Sequence, residues 1–146
     1  MATTTASATR TAAQLRLAIT RTARRLRQEA GVGLSPSQGA ALATIERHGP
    51  LTPSEAAEIE RVKRPTMTRT LGCLEREGLV KRTPDPEDGR SFLVSVNAAG
   101  RERMRRLRRR KTAYLARRLR TLPAEEQETL ARAAEILERM REGERG

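Results

Sequence analysis

Aromatic side chains make up 1% of the 146 residues, one Phe and one Tyr with no Trp. The core must therefore be built from Leu, Ile, Val, Met and Ala, which bury less area per residue than aromatic rings do. Stacking of bases on aromatic rings cannot drive nucleic-acid binding in such a chain, which argues against a single-strand binder. Cysteine occurs once, at Cys73, so no internal disulfide can form and a cytoplasmic location is the default expectation. Histidine also occurs once, at His48. One Cys and one His in separate segments offer neither a nucleophile–base pair nor a converging metal-ligand set. No glycine-rich loop follows a strand to cradle phosphates. The expectation is no enzyme, no cofactor and no metal. No apolar run approaches the ~20 residues of a membrane span, so no membrane partner is expected. Acids are missing from the first 28 residues, which are rich in Ala, Thr and Arg. That composition resembles a transit peptide, but the helical periodicity inside it favours folded protein.

What the chain has in excess is positive charge. Lys plus Arg total 30 against 18 acids, a formal charge of +12. Part of this is an arginine-rich surface bias. The remainder sets up a field that favours polyanions, and with aromatics so scarce it favours groove and phosphate contacts on a duplex. From Arg101 to Arg120 there are eleven basic residues and one acid, Glu102. This run could hold RNA or acidic lipid, although a solvated helix whose Arg stems pack over a dimer explains it more simply.

Periodicity divides the chain into six helices and a hairpin, and its length suits one domain. Residues 1–8 are small and polar without a period and are expected to form a disordered tail. Leu15, Ile19, Ala23, Leu26 and Ala30 mark a first helix, stopped by Gly31 and Gly33. Ser35 and Pro36 open a second helix that ends at His48-Gly49-Pro50. Thr52, Pro53 and Glu55 combine an N-cap, a first-turn proline and a capping box, the clearest helix start in the chain. That helix is short and breaks between Glu60 and Lys63. Another opens near Arg64 or Pro65, with Met67, Leu71 and Leu74 facing inward, and Gly78 ends it. Strands are expected at Leu79–Arg82 and Ser91–Val96, joined by a loop rich in turn residues, Thr83–Arg90. Asn97 caps a long helix to about Arg120, and Pro123 begins the last one, with Glu125 and Glu126 suiting its dipole. Its stripe is Leu130, Ala133, Leu137 and Met140.

A short helix, a turn, a second helix and a hairpin describe a winged helix-turn-helix, a mainly α fold with a small β-hairpin wing. The module spans 35–97. The segments 9–34 and 98–146 form a helical region whose apolar stripes one such module cannot cover, so a homodimer is expected. In this arrangement the helix from Pro65 enters the major groove. Its outward residues include Thr66, Arg69 and Thr70, with Thr68 on the flank and Lys63 and Arg64 at its start. Arg can grip a guanine edge, and Thr can bond base or phosphate. Pro65 at the helix start and Arg82 on the first strand are further candidate DNA contacts, and Arg90 at the hairpin tip is long enough for a minor groove. A solvated helix face with capping threonines is the plainer alternative.

Thr66-Met67-Thr68-Arg69-Thr70-Leu71 and Leu74-Glu75-Arg76-Glu77-Gly78-Leu79-Val80-Lys81-Arg82 resemble the recognition helix and first wing strand of the multiple-antibiotic-resistance regulator (MarR) family. Pro84-Asp85-Pro86-Glu87-Asp88-Gly89-Arg90-Ser91 resembles the wing signature of that family. Val94-Ser95-Val96-Asn97-Ala98-Ala99-Gly100 and Thr52-Pro53-Ser54-Glu55-Ala56-Ala57 resemble the stretches after the wing and before the recognition helix. The resemblance is specific between Pro50 and Gly100. It departs at Asn97, where the family usually has Thr, and at Arg64, near a position often filled by a smaller residue.

The resemblance implies a triangular homodimer, most often a repressor, bound to an inverted-repeat operator on double-stranded DNA. It implies that Arg69 is the recognition-helix arginine, Arg90 the wing arginine and Asp88 the acid that braces the wing. It also implies a small-molecule effector of unidentified chemistry, between the helical region and the winged module, with Tyr114 and Arg16 as candidate lining. Cys73 is expected to be a small packed residue rather than an oxidant sensor, since no second cysteine can resolve a sulfenic acid. A non-specific, chromatin-like nucleic-acid binder driven by charge is the alternative function.

Overall fold

A computed structural model of the chain describes residues 2–31 and 33–143. Eight elements follow in order: α1 (Ala2–Glu29), α2 (Pro36–His48), α3 (Pro53–Glu60), α4 (Arg64–Arg76), β1 (Val80–Pro84), β2 (Phe92–Val96), α5 (Ala98–Leu119) and α6 (Ala124–Glu142). The fold is the mainly helical winged helix-turn-helix with six helices and one hairpin that the periodicity predicts. The expected tail is a correction. Residues 2–8 continue α1, and Thr9 donates to the Thr5 carbonyl within it. Neither Gly nor Pro occurs before Gly31, and Ala and Ser tolerate a helix already propagating from the following turns.

Local chemistry sets most of the boundaries. Both α2 and α3 begin with complete capping boxes, Ser35 with Gln38 and Thr52 with Glu55, each with proline in the first turn. The turn after α3 passes through Arg61, which holds a left-handed φ of 54° without being glycine. Gly78 takes the same region at φ 73° after α4, and the Leu79 N–H then reaches back to the Leu74 carbonyl at 3.0 Å. The hairpin strands are shifted slightly from the expected segments. Val80 pairs with Val96 and Pro84 with Phe92 in an antiparallel register. Leu51 adds an isolated bridge, exchanging backbone bonds with Val94 at 3.0 and 2.8 Å. The wing is thus stitched to the loop before α3.

One core holds the module together. Leu42 and Ile45 from α2, Ala56 and Ala57 from α3, and Met67, Leu71 and Leu74 from α4 pack with Leu51, Leu79, Val80, Val94 and Val96. Met104 enters the same cluster from α5, so the first turns of the long helix belong to the winged module. On the periphery, the buried Thr44 hydroxyl bonds Glu60, tying α2 to the end of α3. Beyond the module, α1 packs along α5, while α6 buries no residue. Leu15, Leu17, Ile19, Leu130, Ile136 and Met140 are left exposed on α1 and α6, Met140 at 61%.

The start of α5 is fastened to the end of α4 at close quarters. The Asn97 side chain caps Gly100 N–H at 2.9 Å and donates to the Gly78 carbonyl at 2.8 Å. Gly100 lies so near that a Cβ there would collide with the Leu79 carbonyl oxygen and sit 2.8 Å from Cγ1 of Val96. Backbone on one side of that contact cannot move aside as a flexible side chain could. Gly100→Ala is therefore expected to destabilise the fold by about 2 kcal/mol, in the range of an overpacked core. Denaturant unfolding checks this, and an unchanged midpoint would show that α5 can slide away from Leu79.

Candidate nucleic-acid interface

The roll of α4 decides which of its side chains face out. With Met67, Leu71 and Leu74 buried, Thr66, Thr68 and Arg69 are exposed, as are Lys63, Arg64 and Pro65 at the helix start. Thr70 turns partly inward, and its hydroxyl donates to the Thr66 carbonyl at 3.0 Å. Its hydrogen is spent within the helix, while the oxygen keeps acceptor capacity. The first turn of α4 carries no acid, and Lys63 at the N-cap makes no side-chain cap. The positive end of this helix dipole is therefore reinforced by Lys63 and Arg64, an arrangement suited to a phosphate.

Arg76 was not among the residues singled out from the sequence. It lies seven residues after Arg69, almost directly below it on the exposed face, with Nη2 3.2 Å from the Cys73 sulfur. The spacing of the two arginines was the available signal. Cys73 itself is half-buried, with a free thiol.

The wing is a turn built on two carboxylates. Asp85 Oδ1 accepts the Glu87 N–H and Asp88 Oδ1 accepts the Arg90 N–H, both at 3.0 Å. The Ser91 N–H bonds the Asp88 carbonyl at 3.0 Å, and the Asp85 N–H bonds the Ser91 carbonyl at 3.2 Å, closing the loop. Arg90 is exposed on this turn, on a different element from Arg69. Arg82 is differently placed. Its guanidinium pairs with Glu75 of α4 at 2.9 Å and sits over the Phe92 ring, 3.8 Å from the centroid.

Many arginines of α5 have partners in the protein. Arg101 donates to the Val96 carbonyl at 3.0 Å and Arg110 to the Ala30 carbonyl at 2.8 Å. Arg108 pairs with Glu46 at 2.8 Å, and Arg103 approaches Glu77 at 3.8 Å. Hydrogen bonds from Arg105, then the charges of Arg105 and Arg109, hold the Glu102 carboxyl below the usual carboxylate range. These links fasten α5 to the end of α1, to α2 and to the end of α4 within the protomer.

Among the described residues, clefts lie between the helical region and the module. One, of about 390 Å³, is lined by Ala30, Gly33, Glu77, Arg103, Leu107 and Arg110 among others. The second, of about 100 Å³, is lined by Arg27, Leu34, Pro36, Leu107 and Lys111 among others. Tyr114 and Arg16, the expected lining, reach neither; Tyr114 lies instead beside α1, with Arg25 5.6 Å from its ring centre. Among the described residues no group of His, Cys, Asp and Glu could hold a metal, and no helix is long and apolar enough to cross a membrane.

A buried three-helix module, an exposed basic second helix and an arginine-tipped hairpin define a winged helix-turn-helix DNA-binding protein. Residues 34–92 match the MarR family model. An HTH-type transcriptional regulator of Mycobacterium bovis is 41% identical over 129 residues, covering 88% of this chain and 90% of the relative. The fold superposes on a solved transcriptional regulator from Pseudomonas aeruginosa with a TM-score of 0.81 and 35% identity, covering 90% of this chain and 93% of that one. A variant of S. aureus MepR bound to an oligodeoxyribonucleotide shares the fold at TM-score 0.69 and 20% identity, with 88% and 96% covered. The chain belongs to the MarR family of transcriptional regulators, DNA-binding proteins rather than enzymes.

Removing the acceptor at the wing tip isolates what it does. Asp88→Ala is expected to speed amide exchange at Arg90 and Ser91 while lowering global stability by no more than ~1 kcal/mol, the net worth of one exposed hydrogen bond. Exchange at Arg90 as slow as in the unsubstituted protein would mean that the turn holds without Asp88.

Proposed function

We propose that the protein is a homodimeric, sequence-specific regulator of transcription on double-stranded DNA, a repressor released by a small effector. The observation that carries the DNA reading is the exposed face of α4, where Thr66, Thr68 and Arg69 continue the basic start at Lys63, Arg64 and Pro65. Arg69 reads a base edge in the major groove, Thr66 and Thr68 bond base or phosphate, and Thr70 contributes its remaining acceptor oxygen. Arg90 enters the minor groove beside the half-site, and Asp88 holds its backbone. The clefts between the helical region (9–34 and 98–146) and the module (35–97) are the places for an effector. Its work is in the cytoplasm, where the DNA is.

The dimer reading rests on α1 and α6. Leu15, Ile19, Leu130, Ile136 and Met140 lie exposed on helices that the protomer does not cover. Each is about half exposed already, so burying the rest against a second copy would contribute on the order of 1 kcal/mol. A two-fold dimer presents two recognition helices, so the operator is an inverted repeat with half-site centres about 10 bp, or a multiple of that, apart. Light scattering at tens of micromolar is expected to give twice the protomer mass of 16.3 kDa; a monomer would end the dimer reading.

The net charge of +12 favours one competing reading, binding to any nucleic acid through charge. Arg69→Ala separates the two. It is expected to weaken binding to the operator about 10-fold or more, roughly 1–3 kcal/mol, with much less effect on a scrambled duplex. Arg109→Ala, whose side chain faces Glu102, is expected to leave the ratio of the two affinities unchanged. Both affinities are measured at one fixed salt concentration. Equal losses on the two duplexes would make Arg69 a phosphate clamp. A wild-type protein without preference would leave the charge-driven reading.

A further inference from the structure

We propose that Arg82 is a positioning residue, a strut that sets the wing against the recognition helix, rather than a contact to DNA. The proposal rests on the DNA-binding reading above and deepens it.

Arg82 occupies the middle of β1, opposite Val94 of β2. Its guanidinium has partners on two other elements. Nη2 donates to Glu75 Oε2 of α4 at 2.9 Å, and Cζ lies 3.8 Å from the centre of the Phe92 ring on β2. Phe92, the only phenylalanine of the chain, packs against the core cluster. The cation therefore joins α4, β1 and β2 at one point. The turn at Gly78 between α4 and β1 is pinned at its base by the Leu79 N–H on the Leu74 carbonyl and by the Asn97 side chain on the Gly78 carbonyl. Val80, Val94 and Val96 anchor the base of the hairpin in the core, while four of the five residues of β1 are exposed. Farther out along β1, Arg82 supplies a side-chain tie back to α4.

The charges point the same way. Glu75 is an exposed carboxylate, 43% accessible, on the helix assigned to the groove. Left alone it would repel the phosphates, and Arg82 cancels it. Its orientation is set by a carboxylate on α4 and a ring on β2, whereas a phosphate clamp must be free to follow the duplex. The two roles predict opposite consequences for removing Glu75. A strut loses its footing and binding weakens. A clamp is set free and binding tightens.

The test uses full-length wild type, Glu75→Gln, Arg82→Ala, Arg82→Lys and the double variant. The probe is a duplex that the wild-type protein enriches from a randomised pool, and affinity is measured across a salt series. We expect about threefold weaker binding for Glu75→Gln and about fivefold for Arg82→Ala, from one exposed ion pair and one cation–π contact. The double variant is expected to bind no worse than Arg82→Ala. The dependence of log affinity on log salt in Glu75→Gln stays that of wild type, since no phosphate contact is lost. Arg82→Lys keeps the charge without the planar fork and restores only part of the loss. Without DNA, amide exchange across 83–93 accelerates in Glu75→Gln and Arg82→Ala. Tighter binding by Glu75→Gln, or a salt slope reduced by about 1 in Arg82→Ala, identifies a clamp and overturns the proposal. A wild-type protein that enriches no duplex refutes the sequence-specific reading on its own. The strut is then judged by amide exchange, and unchanged exchange ends it.

Discussion

Leu74 is completely buried, and with Met67 and Leu71 it fixes how α4 is rolled on α2 and α3. The exposed face depends on that roll. A helix turned by one residue, about 100°, would put Thr68 in the core and carry Met67 toward solvent, at a cost of about 1.5–3 kcal/mol for each large apolar side chain exposed. The buried stripe therefore does more than stabilise the module. It fixes the bearing of Arg69 and Arg76 with respect to any surface that α4 meets. The capped starts of α2 and α3 act upstream of this, because they hold the two helices whose groove receives the stripe.

The wing has a different kind of support. Its base shares the core through Val80, Val94 and Val96, and its loop is closed by backbone bonds and two aspartates. Between base and tip the ties are polar. Such contacts are worth little each, but they are directional, which is what orienting a long side chain such as Arg90 requires. The same division runs through the arginines. In the first half of α5, Arg101, Arg108 and Arg110 bond carbonyls or a carboxylate outside the helix, and Arg105 and Arg109 pair with Glu102 within it, so a large part of the positive charge serves the fold. Lys63, Arg64, Arg69 and Arg90 stand exposed on the module.

Much of this was legible in the residues, for identifiable reasons. Caps and breakers are local chemistry, so Ser35, Thr52, Gly78 and Asn97 marked boundaries that the structure keeps. The inward stripe of α4 follows from helical period alone. The errors arose where local signal is weak. Residues 2–8 have no apolar period, yet they lack any residue that would stop a helix, and α1 runs through them. Thr70 is half-buried, and its hydroxyl bonds the Thr66 carbonyl one turn back, a contact that counting residues does not show. Tyr114, candidate effector lining from the family resemblance, faces α1 instead, because how α1 packs on α5 is not written in either helix alone.

By itself the sequence determined the order of elements, the face of α4 that must be buried, and the residues of the wing turn. All of these depend on contacts within a few residues along the chain, or on a period that repeats within one helix. Only the tertiary structure decided the fate of Arg82, Arg108 and Arg110. Each has a partner distant in sequence or on another element: Glu75 and Phe92, Glu46, and the Ala30 carbonyl. An arginine is long enough to reach DNA, a carboxylate or a helix end equally well. Which one it meets is set by how separate elements pack, and no local pattern encodes that.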